Sequence, residues 1–258
     1  MKGSFMVLAK TIVGFAFTIF CMFAYIPIGI PAFILSFFWL KKPMAWVIYK
    51  IAQGWARVII FISGCSMEIE GRENIPMKGG VCFASNHVGI FDIVLALAYV
   101  GRPFGFIAKK ELLIVPMLNL WIFLLGGLFI DRRNLRKALK TINLGIQKIQ
   151  KDGGMLIFPE GTRSRGRGLL PFRSGSIKLA TQSRSPIVPM AITGSYDVFE
   201  KNYRLNSVPV RLVFCRPIVT RDMNAEDRRH KLADEVRSVI ETVLAEPLNK
   251  NLPQLQNE

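Results

Sequence analysis

A long run without charge near the N-terminus is the feature that most constrains how this chain folds. From Thr11 to Leu40 there is no charged residue, whereas Lys10 precedes the run and Lys41 and Lys42 follow it. The run exceeds the length of about 20 residues that crosses a bilayer as a helix. It is too long for a signal peptide, and no small-residue cleavage site precedes Lys41. A segment of this kind must be covered by lipid or by the rest of the protein.

Helix-breaking residues interrupt this run near its middle, at Pro27, Gly29 and Pro31. Two prolines in five residues break or kink a helix, so two arrangements are open. In one, a kinked helix spans the membrane. In the other, two short helices form a hairpin that enters one leaflet and returns. Lysines at both ends favour the hairpin, since both ends then face the cytoplasm.

The next segment, Met44–Ser63, is apolar but carries Lys50, Gln53 and Arg57 at spacings of three and four. These residues form one polar stripe on a helix. The pattern indicates an interfacial helix that lies on the membrane or covers the main domain, and the alternative is a buried core helix. We therefore assign residues 1–63 to an N-terminal membrane-associated helical segment and residues 64–258 to an α/β domain.

Charge and hydrophobicity are both high: the 258 residues carry a formal net charge of +16, and 51% of them are hydrophobic. Such a chain is not intrinsically disordered. The combination favours an anionic lipid surface and polyanionic substrates. The pI of about 10.1 also fits nucleic-acid binding, but no recognition motif is present and the apolar N-terminus has no role there. Two distant histidines and four scattered cysteines argue against a metal site, and we expect no cofactor.

After Gly64, short apolar runs alternate with amphipathic patterns. Apolar residues recur every three or four positions over Leu135–Ile149 and Leu232–Val243, which predicts two helices, with Asn224 as a candidate N-cap of the second. This alternation predicts an α/β fold, a single mixed, largely parallel β-sheet covered by helices, behind the N-terminal hydrophobic helical membrane-anchoring segment. The predicted strands are Met67–Glu70, Val81–Ser85, Phe104–Ala108, Leu128–Ile130, Met155–Phe158, Ile187–Ile192 and Val210–Cys215.

Polar clusters follow three of these strands, where α/β sheets usually place their sites. In the first, Asn86–Asp92, a histidine and an aspartate can act as a general base, because the carboxylate sets the imidazole tautomer. Five residues along a regular helix turn through about 140°. We therefore expect His87 before the helix and Asp92 in its first turns, with a bend eased by Gly89. Taken alone, the pair is more typical of a histidine that a nearby carboxylate satisfies for structure alone.

The second cluster, Phe158–Ser164, offers glycine, hydroxyl and arginine groups that suit an oxyanion cradle. A solvated basic loop, continued by Arg165, Arg167 and Arg173, is the alternative. The third cluster ends in Asp131–Arg132, which on its own is typical of a surface ion pair. The apolar stretch Ile187–Met190 fits a strand or the wall of a site for an aliphatic chain.

Together, these four blocks resemble the glycerolipid acyltransferase family typified by 1-acyl-glycerol-3-phosphate acyltransferases. Many members have serine where this chain has Gly89. The resemblance implies transfer of a fatty acyl group from acyl-CoA or acyl-carrier protein to the sn-2 hydroxyl of lysophosphatidic acid, giving phosphatidic acid. His87 would be the general base and Asp92 its orienting partner, without a covalent acyl-enzyme. Acylation of glycerol-3-phosphate or another lysolipid, and a non-catalytic basic lipid-binding membrane protein, are the alternatives.

The resemblance also implies how the substrates are held. Arg163 would bind the acceptor's phosphate within a loop shaped by Glu160, Gly161 and Thr162, and Arg132 would add charge. Lys109, or Lys110 in its place, would face the thioester oxyanion or a phosphate. The expected surroundings are an anionic phospholipid membrane, of the bacterial inner-membrane type, with the catalytic domain on the cytoplasmic side. We expect no nucleic-acid partner.

Overall fold

The structure is a computed structural model that describes residues 2–35, 40–173, 176–221, 223, 226 and 231–248. Within these ranges seven strands form one sheet. The strands are β1 (Ser66–Glu70), β2 (Val81–Ser85), β3 (Gly105–Lys109), β4 (Leu128–Ile130), β5 (Gly154–Ile157), β6 (Ile187–Thr193) and β7 (Pro209–Phe214). The helices are α1 (Lys2–Ala24), α2 (Ile26–Leu35), α3 (Lys41–Ser63), α4 (Phe91–Tyr99), α5 (Leu118–Leu124), α6 (Leu135–Gln150), α7 (Lys178–Ser183), α8 (Ser195–Val198) and α9 (Leu232–Ala245). Two 3-10 turns cover Arg72–Asn74 and Lys110–Ile114.

The strands lie in the order β1-β7-β6-β2-β5-β3-β4. Every neighbouring pair is parallel except β6 and β7, which are antiparallel. This arrangement confirms the predicted mixed, largely parallel sheet covered by helices. Each predicted strand is present, with ends that differ by no more than one residue. The candidate cap Asn224 lies outside the described residues.

Both faces of the sheet are covered, which explains the continuous apolar character of its central strands. In β2, Phe83 packs into a core shared with α3 and α4, while Cys82 packs into a second core with α6, α7 and α9. Strand β6 is equally buried, with Val188 and Met190 fully inaccessible. The apolar stretch Ile187–Met190 is therefore an interior strand and does not form the wall of an open site.

The N-terminal run forms two helices that break at Tyr25. Pro27 has no amide hydrogen, and its ring clashes with the carbonyl of residue 23, so α1 cannot continue through it. Both helices nevertheless pack against α3: the indole of Trp55 donates to the hydroxyl of Thr18 at 3.3 Å, and Ala32 of α2 shares a buried cluster with Ile48 of α3. The chain therefore does not reverse at the prolines. It reverses between α2 and α3, so the hairpin differs from the one favoured on sequence grounds.

Helix α3 belongs to the main core. Its Tyr49, Ala56 and Ile60 lie in the same buried cluster as Phe83. The predicted polar stripe is divided, because Gln53 is buried and its amide donates to the carbonyl of Ala98 at 3.1 Å. That carbonyl lies in the last turn of α4, where the helix supplies no partner of its own.

One side of α1 lies on the domain and the other is uncovered. The hydroxyl of Thr11 accepts from the amide of Leu205 at 2.9 Å, and the amine of Lys10 donates to the hydroxyl of Ser207 at 2.7 Å. The uncovered side carries exposed Phe5, Ile12, Ile19, Phe20 and Phe23. By length and composition, Phe5–Ala24 and Lys42–Ser63 are each apolar enough to cross a membrane.

Candidate active site

Five parallel strands bring their carboxyl ends to one edge of the sheet. Those ends are Ser85, Lys109, Ile130, Ile157 and Thr193, on β2, β3, β4, β5 and β6. The polar clusters of the sequence follow β2, β4 and β5 directly, so the parallel sheet gathers them at the same edge. We call this edge, with the loops that leave it, the site edge.

His87 and Asp92 lie side by side at the site edge. Their Nδ1 and Oδ2 atoms are 2.7 Å apart. His87 lies in the loop before α4, and Asp92 is the second residue of that helix. The imidazole is 19% exposed and the carboxylate is fully buried. A ring nitrogen that faces a buried carboxylate is held as a donor, so Nε2 is the nitrogen left to accept a proton.

Four donors surround the carboxylate of Asp92. Its Oδ2 accepts from His87 and from the amides of Val88 at 2.7 Å and Gly89 at 3.1 Å. Its Oδ1 accepts from the hydroxyl of Ser195, the first residue of α8. A buried carboxylate is tolerated only with such partners, which also fix its orientation.

The ring and backbone of His87 are held by the loop after β5, which carries the second cluster; we call it the second loop. Its ring stacks on Phe158, with centroids 3.9 Å apart and planes at 17°. Its amide donates to Oε1 of Glu160 at 2.6 Å, and its carbonyl accepts from the amide of Ser164 at 2.7 Å. Among the described residues Nε2 has no hydrogen-bond partner. The imidazole is therefore fixed on one side and open on the other.

Glu160 braces the second loop from inside. Its Oε2 accepts from the amide of Leu170 at 3.0 Å, while Oε1 holds His87. Burial raises the pKa of Glu160, and the two backbone donors oppose that shift. Gly161 follows with φ +69°, and a side chain there would meet Arg173 at 3.0 Å, so glycine suits this position on both counts.

Arg163 is already engaged by a carboxylate. Its Nη1 lies 2.8 Å from Oε1 of Glu200, whose Oε2 accepts from the amide of Ile90 at 2.7 Å. Glu200 is nearly buried and lies just beyond α8. It thereby joins the first and second clusters. Thr162, which precedes Arg163 in the loop after β5, is exposed.

The remaining predicted cations lie at or just after the ends of β3 and β4. Arg132 donates to the carbonyl of Gly161, and desolvation, followed by the charge of Arg173, lowers the pKa of Arg132. Lys109 is exposed at the end of β3, next to Ile130 of β4 in the sheet register. Lys110 is paired with Asp131 at 2.8 Å, and this bond lowers the pKa of Asp131. Lys109 is therefore the more accessible of the two lysines.

Gly89 is needed for space and not for an unusual backbone angle. Its φ is not among the positive values found at other glycines. A Cβ atom there would lie 3.1 Å from Oε2 of Glu200 and 3.2 Å from Cα of Tyr196. The expectation that Gly89 eases a bend is therefore replaced by close packing against α8 and Glu200.

Two contributors to the site, Ser195 and Glu200, carried no recognised signal in the sequence and reach the site from beyond β6. Asn86, the first residue of the first cluster, also contributes: its side-chain amide donates to the carbonyl of Ile192 and accepts from its backbone amide, each at 2.8 Å. Ser195 follows a buried strand by two residues, and this position could have marked it. Nothing local distinguishes Glu200.

No group of three histidine, cysteine, aspartate or glutamate side chains able to hold a metal occurs in the described part of the chain. His230 lies outside the described residues. What the site offers is a fixed imidazole–carboxylate pair bordered by cations. That arrangement can move a proton and hold an anion.

The chain is similar to known proteins in sequence and in fold. The profile of the acyltransferase family matches residues 66–193. A 1-acyl-sn-glycerol-3-phosphate acyltransferase from Salmonella typhimurium is 34% identical over 71% of this chain and 74% of its own length. One from Borreliella burgdorferi is 29% identical over 71% and 74%, respectively. The crystal structure of the 1-acyl-sn-glycerophosphate (LPA) acyltransferase PlsC from Thermotoga maritima has the same fold, with a TM-score of 0.78, 24% identity, and coverage of 94% of this chain and 98% of that one. The resemblance seen in the motifs is thus confirmed, and the chain belongs to the acyltransferase family.

Proposed function

We propose that this acyltransferase moves a fatty acyl group from a thioester to the sn-2 hydroxyl of 1-acyl-glycerol-3-phosphate and so forms phosphatidic acid. One observation carries the proposal: Nδ1 of His87 lies 2.7 Å from a buried carboxylate, while the ring stays partly exposed and Nε2 has no hydrogen-bond partner among the described residues. The relatives' names supply the substrate class. The placement of His87 beside Asp92 supports the proposal that His87 acts as a base toward a hydroxyl acceptor.

The proposed reaction needs no acylated residue. Nε2 of His87 takes the proton of the acceptor hydroxyl while its oxygen bonds to the thioester carbonyl carbon. The carbon–sulfur bond then breaks, and the imidazolium returns the proton to the departing thiolate. Asp92 stabilises the imidazolium between these steps. Ester and free thiol are the products, and the enzyme is unchanged.

Cations at the site edge suit the acceptor's phosphate. Arg132 and Lys109 are accessible, and Arg163 keeps further N–H groups beyond the one that pairs with Glu200. Glu160 and Gly161 shape the loop, and exposed Thr162 offers a hydroxyl. Guanidinium groups hold phosphate in a bidentate manner, which fixes the acceptor beside the imidazole.

The uncovered face of α1 suits attachment to an anionic phospholipid membrane. Because its other side is fixed to the domain through Lys10 and Thr11, we propose that α1 lies in one leaflet along the domain. The site would then face lysolipid in the same leaflet. In a bacterial-type inner membrane this is the cytoplasmic leaflet, where acyl-CoA and acyl-carrier protein supply the acyl group.

The test is thioester-dependent conversion of lysophosphatidic acid to phosphatidic acid by the full chain. Loss of a general base lowers kcat by about 10²- to 10⁴-fold, which is expected for His87→Ala. The other histidine provides the matched control, so His230→Ala should retain wild-type turnover. Undiminished turnover by His87→Ala would reject this residue as the base.

Parallel assays separate the neighbouring possibilities. Glycerol-3-phosphate and other lysolipids replace the acceptor, and acyl-carrier protein replaces acyl-CoA. Highest kcat/KM with 1-acyl-glycerol-3-phosphate is the expected result. Preference for another acceptor would reassign the substrate and keep the reaction type, whereas lipid binding without turnover would favour a non-catalytic lipid-binding protein.

A further inference from the structure

A small apolar surface projects from the catalytic domain itself. It consists of Leu113, Ile114, Val115 and Phe123, all exposed, and we call it the rim patch. Ile114 is 84% exposed, more than any other large apolar side chain in the described residues. Single exposed apolar residues are common on soluble proteins, but a contiguous group indicates a contact surface.

The rim patch borders the site edge. The 3-10 turn Lys110–Ile114 begins directly after β3, whose carboxyl end lies at that edge. Two hydrogen bonds from Asn119 hold the turn. Its side chain donates to the carbonyl of Leu113 at 2.7 Å, and its backbone amide donates to the carbonyl of Val115 at 3.1 Å. The apolar side chains are therefore held outward next to the site.

The rim patch continues the uncovered face of the N-terminal helices. The ring of Phe123 packs on Phe33 of α2, with centroids 4.9 Å apart. The indole of Trp121 donates to the carbonyl of Met22 in α1 at 3.1 Å. Exposed Ile30 and Ile34 extend this apolar surface along α2.

Positive charge borders the same surface. Lys109 is exposed beside the turn, and Arg132 and Arg133 are exposed just beyond β4. Glu111 is the opposing charge here, since Lys110 already pairs with Asp131. Apolar side chains bordered by cations suit an anionic bilayer. The apolar side chains enter among the acyl chains, and the cations contact the headgroups.

We propose that the rim patch inserts into the anionic leaflet as a second membrane contact, made by the catalytic domain beside the site. The contact holds the site edge at headgroup level, so the acceptor hydroxyl reaches His87 while its acyl chain stays in the leaflet. The inference rests on the proposed membrane attachment and extends it from α1 to the turn after β3.

An environment-sensitive fluorophore on Ile114→Cys tests this contact directly. Val219→Cys is the matched control, because Val219 is 60% exposed and adjoins Ile218, which pairs with the start of β6 at the opposite edge. The four native cysteines are buried and leave the introduced thiol as the reactive one. On phosphatidylglycerol–phosphatidylcholine vesicles, we expect a blue shift and loss of iodide quenching at position 114 and neither change at 219.

Aspartate substitutions test the consequence. Ile114→Asp should turn over vesicle-embedded acceptor about tenfold more slowly, the loss expected from one isoleucine no longer buried in lipid. Val219→Asp should match wild type, and both variants should retain turnover of a short-chain, water-soluble acceptor. This last result separates membrane contact from damage to the site.

Several outcomes would overturn the proposal. One is a label at position 114 that iodide still quenches fully when the protein is bound to the vesicles, as shown by co-flotation. Another is an Ile114→Asp variant whose turnover falls equally with the vesicle-embedded and the water-soluble acceptor. A third is an Ile114→Asp variant that changes from dimer to monomer while the label at position 114 shows no shift on vesicles. A label shift in a protein that does not acylate lysophosphatidic acid would instead reject the proposed function and leave this contact standing.

Discussion

At the scale of single residues, the site depends on one buried carboxylate and its donors. Asp92 accepts from two backbone amides, from His87 and from Ser195. Hydrogen bonds to a buried charge are stronger than neutral ones and leave a large penalty when removed. The orientation of the imidazole thus depends on Asp92 and on the donors that hold this carboxylate in place.

Replacing Ser195 with alanine should impair the base without removing it. Oδ1 of Asp92 would lose its hydroxyl donor, and we expect kcat to fall about tenfold with KM little changed. Steady-state kinetics provides the measurement. Ser183→Ala is the matched control, because Ser183 is also buried but donates to the carbonyl of Ala180, in its own helix. Equal kinetics in the two variants would contradict the positioning role of Ser195.

Glu160→Gln should reveal the raised pKa of this buried glutamate through pH dependence. A raised folded-state pKa means that the folded state binds the proton more tightly, so wild type loses stability as pH rises from about 4.3 through that pKa. Glutamine does not titrate. The free energy of unfolding of the variant, relative to wild type, should therefore rise with pH and then level off. Denaturant titrations at several pH values test the sign, and a flat or falling difference would contradict it.

At the scale of elements, three loops lock together across the site edge. The loop after β2 and the loop after β5 share backbone hydrogen bonds, from Ser164 to the carbonyl of His87 and from Arg165 to that of Val88. Glu200 joins both from beyond β6. These bonds join loops that are distant in the sequence, so the geometry of the site depends on the sheet that brings the loops together.

Gly89→Ser should strain this junction. The added Cβ would lie 3.1 Å from the carboxylate of Glu200, and overpacking of this kind costs about 1–3 kcal/mol. Denaturant unfolding of a double-mutant cycle gives the measurement. In the Glu200→Ala background the serine should cost less, because one of its two close contacts is gone. Additive effects would show that the crowding lies elsewhere, at Tyr196.

The strands were predictable because their signals are local. Short apolar runs bounded by glycine and polar residues mark β2 and β4 at their exact ends, and the period of α6 is equally clear. The N-terminal helices were not, since the prolines explain a kink and a hairpin equally well. Contacts of α1 and α2 with α3 decide between them, and such contacts leave no periodic pattern.

At the scale of the whole molecule, charge and apolar surface act together. A net charge of +16 is carried by a chain whose N-terminal helices leave much apolar surface uncovered. Long-range attraction raises the local concentration of anionic substrates, and salt screens it. This long-range electrostatic attraction acts on binding and does not depend on the chemistry proposed at His87.

The KM for acyl-CoA should therefore rise several-fold from low to high salt, with kcat little affected. Initial rates over a range of sodium chloride concentrations provide the measurement. Osmotically matched sucrose is the control and should leave KM unchanged. A KM that is constant with salt would show that the donor is held by close contacts alone.

By itself, the sequence determined the sheet, the candidate pair His87 and Asp92, and the family. Their signals are apolar periodicity and short motifs such as His87–Asp92, which lie within a few neighbouring residues. Only the tertiary structure decided the partners of that pair: Ser195 lies 103 residues beyond Asp92 and meets it at the site edge. It also decided that Arg163 pairs with Glu200 and that α1 lies along the domain. Such contacts arise when parallel strands bring distant loops together, and no local pattern encodes that meeting.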